Sequence, residues 1–290
     1  MTGILMFDDR QGLAGHGRRA GLCARRSQCW YGNLPGAPGR APGAGAGAWF
    51  MSCPARGRVY ATSRTVRAAD VTPAGRLRLD AFARYLQEAA EDDVADTGWQ
   101  APYDWLARRC MVSARGYPLL GDRVTLRTFC TGTGPRWAER TTTLADPAGE
   151  LMQATAVWVA IGRNGEPARL GPGFHRLYGE AAGGRRVSAR LTLPAPSPAA
   201  AGRPWPVRAS DFDPAGHVNN TVHWQAAEDL LAGLEWLPAA AELEYHQPIL
   251  PGGNPQLLVS HAPDRVLFWL VNDRGRLASG RLARMPLAAG

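Results

Sequence analysis

The sequence predicts an α+β fold built from two tandem copies of one unit, each a helix set against an antiparallel sheet. Three observations carry this reading. The segment from Val66 to Gly75 recurs from Val207 to Gly216 with the shared frame V-R-A-x-D-x-x-P-A-G. Each copy leads into apolar residues at three- and four-residue spacing, and each helix pattern is followed by alternating, strand-like runs. After the helix, Tyr117-Pro118-Leu119-Leu120-Gly121-Asp122 and Gln247-Pro248-Ile249-Leu250-Pro251-Gly252-Gly253 occupy matching places.

The elements follow in order. Residues 59–66 alternate and predict a strand, and Thr72-Pro73-Ala74-Gly75 predicts a turn. Residues 79–90 predict a helix that buries Phe82, Tyr85, Leu86 and Ala89. Four strands are expected at 110–116, 123–131, 138–146 and 153–161, with Asp146-Pro147-Ala148-Gly149 as a hairpin connection. Residues 58–180 thus form the first unit. Residues 181–204, with Ala181-Ala182-Gly183-Gly184 and Pro194-Ala195-Pro196-Ser197-Pro198, read as a linker. Residues 205–290 repeat the order. They predict a strand at 205–209, a helix to about 234 that buries Val222, Ala226 and Leu230, and strands at 241–247, 256–261, 266–272 and 277–284.

Charge and cysteine usage narrow the function classes. The net charge is +8, yet residues 1–57 hold seven Arg against two Asp, so +5 of it lies there. This Gly-, Ala-, Pro- and Arg-rich tail buries too little apolar surface to offset its ordering entropy and is expected to be disordered, with Met51 an alternative start. The rest has no basic stripe with interleaved aromatics, so no nucleic-acid partner is expected. No run approaches the roughly 20 apolar residues of a membrane span, and the first residues lack the pattern of a secretory signal, so a cytoplasmic protein is expected. Cys23, Cys29, Cys53, Cys110 and Cys130 form no metal-ligand spacing, and Cys110 and Cys130 read as buried, inert thiols.

The two halves differ where chemistry is carried. The second copy holds Asp213, Gly216, His217, Asn219 and Asn220, whereas the first has Thr72 and Arg76 at the Asp213 and His217 positions. Asp211-Phe212-Asp213, His217-Val218-Asn219-Asn220 and Leu243-Glu244-Tyr245 resemble the acyl-acyl carrier protein thioesterases, tandem hotdog-fold enzymes. The first half is similar to that family across Gly121-Asp122-Arg123-Val124, Gly132-Thr133-Gly134, Ala154-Thr155-Ala156-Val157-Trp158-Val159 and Arg169-Leu170, so the resemblance spans about residues 58–286. It implies a double hotdog, each unit a long helix wrapped by an antiparallel sheet, with the site between the units near the second helix N-terminus. It also implies a substrate acyl group carried on the phosphopantetheine arm of acyl carrier protein, no cofactor or metal of the enzyme's own, and a free fatty or related acid as product. An acyl-coenzyme A thioesterase and a catalytically weak acyl-thioester-binding protein are the alternatives on the same fold. Chain length stays open, as does the choice between monomer and homodimer.

By this resemblance Asp213 is the catalytic carboxylate, either nucleophile or general base. The alternative for the same residue is a helix cap. His217 orients water or protonates the departing thiolate. The Gly216 and His217 N–H groups are the expected oxyanion donors at a helix N-terminus, and Asn219 and Asn220, expected in the first helical turn, support the geometry. Asp211, matched by Asp70, is expected to be structural. Tyr85, Leu86, Trp99 and Trp105 are candidates to line the acyl tunnel or, more simply, to pack the core. Two positions depart from the plant-type pattern: Ala215 stands where it has Asn, and Pro248 stands in place of its Glu. Either Asp213 and His217 suffice, or His246 or Gln247 compensates, or activity is reduced.

Overall fold

The computed structural model describes residues 50–284 except Ala199; most of the expected tail, and residues 285–290, lie outside them. The first unit contains β1 (Val59–Thr65), α1 (Leu79–Thr97), β2 (Asp104–Ala114), β3 (Arg123–Thr133), β4 (Trp137–Asp146), β5 (Gly149–Ile161) and α2 (Pro172–Ala182). The second contains β6 (Gly202–Pro204), α3 (His223–Leu231), β7 (Ala240–Tyr245), β8 (Gln256–Ala262), β9 (Arg265–Asn272) and β10 (Gly275–Ala283). A single turn of 3-10 helix, Ala68–Asp70 and Ala209–Asp211, precedes each long helix.

The strands form where threonine and valine alternate with polar residues, because β-branched side chains pack well on a pleated surface. Between β3, β4 and β5 the hydroxyls meet in cross-strand pairs, Thr131 with Thr141 at 3.0 Å and Thr141 with Thr155 at 3.1 Å. The β4–β5 hairpin closes as expected, with Asp146 Oδ1 accepting from the Ala148 and Gly149 N–H groups. All ten strands join one sheet in the order β1-β3-β4-β5-β2-β7-β10-β9-β8-β6. The antiparallel pairing of β2 with β7 is the seam between the units. Inward-facing Cys110, Val112, Ala241 and Leu243 flank it and share one core with Phe82, Tyr85, Trp224 and Ala226 of the two helices. These are the two helix-and-sheet units that the repeat predicts, in the double hotdog architecture that the resemblance implies.

Several boundaries differ from expectation. Helix α1 continues to Thr97, because Val94 and Ala95 extend its apolar spacing until Gly98 stops it in a left-handed conformation at φ 62°. Helix α3 is half as long. Helix α2 was not expected; Pro172 in its first turn and buried Phe174 and Tyr178, one turn apart, are the local signals for it. Within the expected linker, β6 pairs with β8, in place of a strand at 205–209. A strap there crosses the outer sheet face, where fully buried Glu244 accepts the Thr192 and Leu193 N–H groups. Met51, assigned to the tail, exchanges hydrogen bonds with the Gln153 side chain.

The extra turns of α1 are held by a buried carboxylate. Asp93 has 0% exposure and receives Arg58 Nε at 2.5 Å and Arg140 Nη1 at 2.7 Å, which ties the helix to the approach to β1 and to β4. Two guanidinium groups on one buried carboxylate offset its desolvation only while all three are present. Asp93→Ala is therefore expected to lower the unfolding free energy by about 3 kcal/mol or more, read by urea denaturation. An unchanged midpoint would show that the clamp is not structural.

Candidate active site at the junction of the two units

The repeated turns have the same hydrogen-bond plan. In the first copy Thr72 N–H donates to Arg76 O at 2.8 Å and Gly75 N–H to Thr72 O at 2.8 Å; in the second, Asp213 N–H donates to His217 O and Gly216 N–H to Asp213 O, both at 2.9 Å. Both glycines have positive φ, 80° and 78°, which explains why neither copy replaces them. Asp70 and Asp211 each accept the N–H three residues earlier, from Arg67 at 3.0 Å and Arg208 at 2.7 Å, so Asp211 has the structural role expected of it.

The side chains at the ends of these turns have diverged. In the first copy buried Arg76 forms a two-pronged ion pair with Glu228 of α3, at 3.1 and 2.6 Å. The same Glu228 carboxylate accepts Leu79 N–H, at the start of α1, at 2.5 Å. That pair and the Leu79 contact leave the polar groups at the end of the first turn bonded to the opposite unit. In the second copy Asp213 Oδ1 accepts Ala215 N–H at 2.9 Å and His217 N–H at 3.4 Å. Among the described residues, Asp213 Oδ2 and the His217 imidazole have no hydrogen-bond partner.

Asp213 faces space that the first unit encloses. A cavity of about 520 Å³ is bounded by the Gln87, Ala90, Glu91, Val94 and Ala95 face of α1, by Trp99, Trp105 and Trp158, and by Phe174 and Tyr178 of α2. Asp213 and Asn220 are the second unit's contribution to its wall. The aromatic side includes edge-to-face contacts, Trp99 to Phe174 at 6.3 Å and Trp99 to Tyr178 at 6.5 Å, and a tilted contact of Trp105 with Phe174 at 5.8 Å. The long α1 contributes most to the cavity: its last two turns supply Glu91, Val94 and Ala95, and α3 ends at Leu231, before the positions that match them.

The expected site residues are thus only partly brought together. Asp213 and Asn220 line the cavity, while Gly216, His217 and Asn219 do not. The Gly216 and His217 N–H groups are turned into the turn itself, toward Asp213 O and Oδ1, so they are not open oxyanion donors. Asn219 and Asn220 precede the helix instead of opening it, because Asn219 Oδ1 takes both the Thr221 N–H, at 2.9 Å, and the Thr221 hydroxyl, at 2.8 Å. Trp99 and Trp105 line the cavity, Leu86 lines a smaller adjoining cleft, and Tyr85 donates to Asp70 at 2.7 Å in the core. His246 is spent elsewhere: its Nε2 lies 3.0 Å from Ser279 Oγ, and burial, with Arg276 beside it, pushes its imidazole down. Gln247 is exposed, and neither residue borders the cavity.

Two further side chains line the cavity, and a third packs against the main chain that leads from the turn into α3. Phe174 and Tyr178 come from the unforeseen α2. His223, the first residue of α3, is buried with its Nδ1 3.2 Å from Asn219 O, and burial pushes its imidazole down to about 4 against the pull of the Asn219 and Asn220 carbonyls. Cys130 lies in the cavity wall, and burial raises its thiol, as expected of an inert cysteine. Among the described residues no cluster of three or more His, Cys, Asp or Glu could hold a metal ion, and no helix is long and apolar enough to cross a membrane.

Comparisons with known proteins agree with this architecture. Residues 57–170 match the family model of the acyl-ACP thioesterase N-terminal domain. Two uncharacterized proteins from two strains of Mycobacterium tuberculosis are each 29% identical over 231 residues, 78% of this chain and 92% of theirs. The fold is similar to that of a 12:0-ACP thioesterase from Umbellularia californica, at TM-score 0.67 and 17% identity over 79% of this chain and 98% of that one. It is equally similar to an acyl-ACP thioesterase from Bacteroides thetaiotaomicron, at TM-score 0.67 and 16% identity over 78% and 97% of the two chains.

Neutral His223 behind the site gives the fold a pH dependence. Its folded value of about 4 lies below the ordinary 6.5, so between these the unfolded chain binds more protons and stability falls as pH falls. The loss is expected from about pH 6.5 down to 4, on the order of 3 kcal/mol in total, and His223→Phe is expected to flatten that slope. A slope unchanged in the variant would assign it to other groups.

Proposed function

We propose that this chain, a thioester hydrolase with an acyl-ACP thioesterase N-terminal domain over residues 57–170, takes its acyl group from acyl carrier protein and releases a free fatty or related acid at Asp213. The observation that carries the reading is the meeting of two unlike parts. The second unit's turn places one half-free carboxylate in the wall of a large aromatic cavity that the first unit builds. The acyl group lies in that cavity against Trp99, Trp105 and Phe174, and the phosphopantetheine arm extends out past Asn220.

In this reading Asp213 acts as general base. Its Oδ1 is held by the turn, and Oδ2 takes a proton from water as the water oxygen attacks the thioester carbon. The oxyanion that forms is met by Asn220, through its main-chain N–H or its side-chain amide. The silent half supports this placement, because there the equivalent N–H, that of Leu79, is met by the carboxylate of Glu228. When the tetrahedral intermediate collapses, the carbon–sulfur bond breaks and the thiolate leaves with a proton, for which His217, on the same turn, is the carrier. Asn219 keeps Asn220 in position through its bonds to Thr221. Ala215 removes the side chain of the plant-type Asn but keeps its N–H on Asp213.

Thiol release from acyl-carrier and acyl-coenzyme A substrates tests the reading. Asp213→Ala is expected to lower kcat by about 100-fold or more, whereas Thr72→Ala, at the matching silent position, is expected to leave it unchanged. The carrier-protein substrates are expected to give the higher kcat/KM. Equal release by wild type and Asp213→Ala would overturn the catalytic assignment, and a preference for coenzyme A would overturn the carrier.

A further inference from the structure

The silent half marks a residue of the working half that the turn does not contain. Residues of the two copies correspond at a constant offset: Thr72 with Asp213, Arg76 with His217, Leu79 with Asn220 and, along the helices, Gln87 with Glu228. The burial pattern of α1 repeats along α3 in this register, with Ala81, Phe82, Ala83 and Tyr85 matching Val222, His223, Trp224 and Ala226, all buried. Glu228 crosses from its own helix to the opposite unit's turn, where it meets both Arg76 and Leu79 N–H. By the same register, position 87 of α1 is the counterpart of Glu228 on the side of Asp213 and Asn220. Gln87 borders the cavity together with those two residues, and with Asn220 and Trp158 it also borders the adjoining cleft.

Its chemistry differs from that of Glu228 in the way a working site requires. The Gln87 Nε2 donates to Glu91 Oε1 at 3.0 Å, and because a carboxylate only accepts, this fixes which end of the amide points away. The other end, Oε1, is buried and has no hydrogen-bond partner. A buried carbonyl left so costs about 1–3 kcal/mol, a cost removed when a donor arrives. Position 87 is also neutral, so the side chain there does not occupy the Asn220 N–H as Glu228 occupies that of Leu79, and the carboxylates that share the cavity wall with Asp213, Glu91 and Glu139, are bonded to Gln87 and to Thr131 and Arg185.

We propose that Gln87, from the first unit, is the second holder of the hydrolytic water. One water O–H donates to Asp213, the other donates to Gln87 Oε1, and an oxygen lone pair meets the thioester carbon. The proton goes to Asp213, the oxygen forms the new carbon–oxygen bond, and the carbon–sulfur bond breaks. The amide thus takes up the water-holding work for which the second unit, with Ala215 in the turn and Pro248 after β7, has no side chain. This rests on thioester hydrolysis at Asp213.

The test uses the full-length chain and steady-state hydrolysis of acyl-carrier and acyl-coenzyme A thioesters by Gln87→Leu and Gln87→Glu. Gln87→Leu removes the acceptor and is expected to lower kcat about 10-fold or more with little change in KM. Gln87→Glu keeps the shape and adds a carboxylate beside Asp213. It is expected to lower kcat further and to move the acid limb of the kcat/KM profile to higher pH, because one carboxylate opposes ionisation of the other. A purely structural glutamine would change the melting temperature and leave that limb in place. Wild-type kcat and a wild-type acid limb in Gln87→Glu would overturn the proposal even if the leucine variant failed to fold. A wild-type chain inert toward every thioester would instead overturn the hydrolase reading beneath it.

Discussion

The pairing of β2 with β7 is the constraint on which the molecule depends. Five residue pairs, from Arg109 opposite Glu244 to Ser113 opposite Ala240, turn two sheets into one. A slip of β7 by one residue would exchange its faces, sending Ala241 and Leu243 outward and carrying Glu242 and Glu244 into the core. In the observed register those two carboxylates lie on the outer face, where Glu242 meets Arg281 at 2.6 Å and Glu244 holds the strap. With the register set, α1 and α3 lie side by side, and each unit's turn faces the other unit's helix. Every feature of the site follows from that crossing.

The two copies have used the crossing differently. One half has closed it with Arg76, Glu228 and the Leu79 N–H, a buried ion pair that locks the units together. Such a pair adds little over apolar packing but is costly to break, so it fixes geometry more than it stabilises. The other half keeps the crossing open, with Asp213 half-satisfied, Gln87 Oε1 without a partner and neutral His223 behind. Unsatisfied groups of this kind lower stability and are retained where chemistry needs them. The longer α1, held by Asp93, then adds the cavity on the open side alone.

Much of this was legible in the residues. Alternation located the strands of both units, and the faded repeat singled out Asp213 and His217, because a turn retained without its polar side chains shows which ones are dispensable for folding; of the two, Asp213 borders the cavity. The hydrogen bonds inside the turn were not legible. The positive φ of Gly216 directs its N–H and that of His217 back toward Asp213, and a residue pattern does not reveal that direction. The start of α3 was missed for a similar reason, since Asn219 competes for the Thr221 N–H with its side chain. Asp93, Glu242 and Glu244 look like surface charges in sequence, and only the tertiary fold supplies the partners that let them be buried. Gln87 carried no local signal; its significance comes from Glu228, 141 positions away.

The central claim is that one live turn works in a cavity built by the other unit. It is tested most directly by a crystal structure of Asp213→Asn bound to an acyl-pantetheine analogue in which a methylene replaces the sulfur. The account predicts the analogue's carbonyl oxygen within hydrogen-bond distance of Asn220 and its acyl group against Trp99 and Phe174. An acyl group lying outside that cavity, or a carbonyl seated at the Arg76 turn, would contradict it.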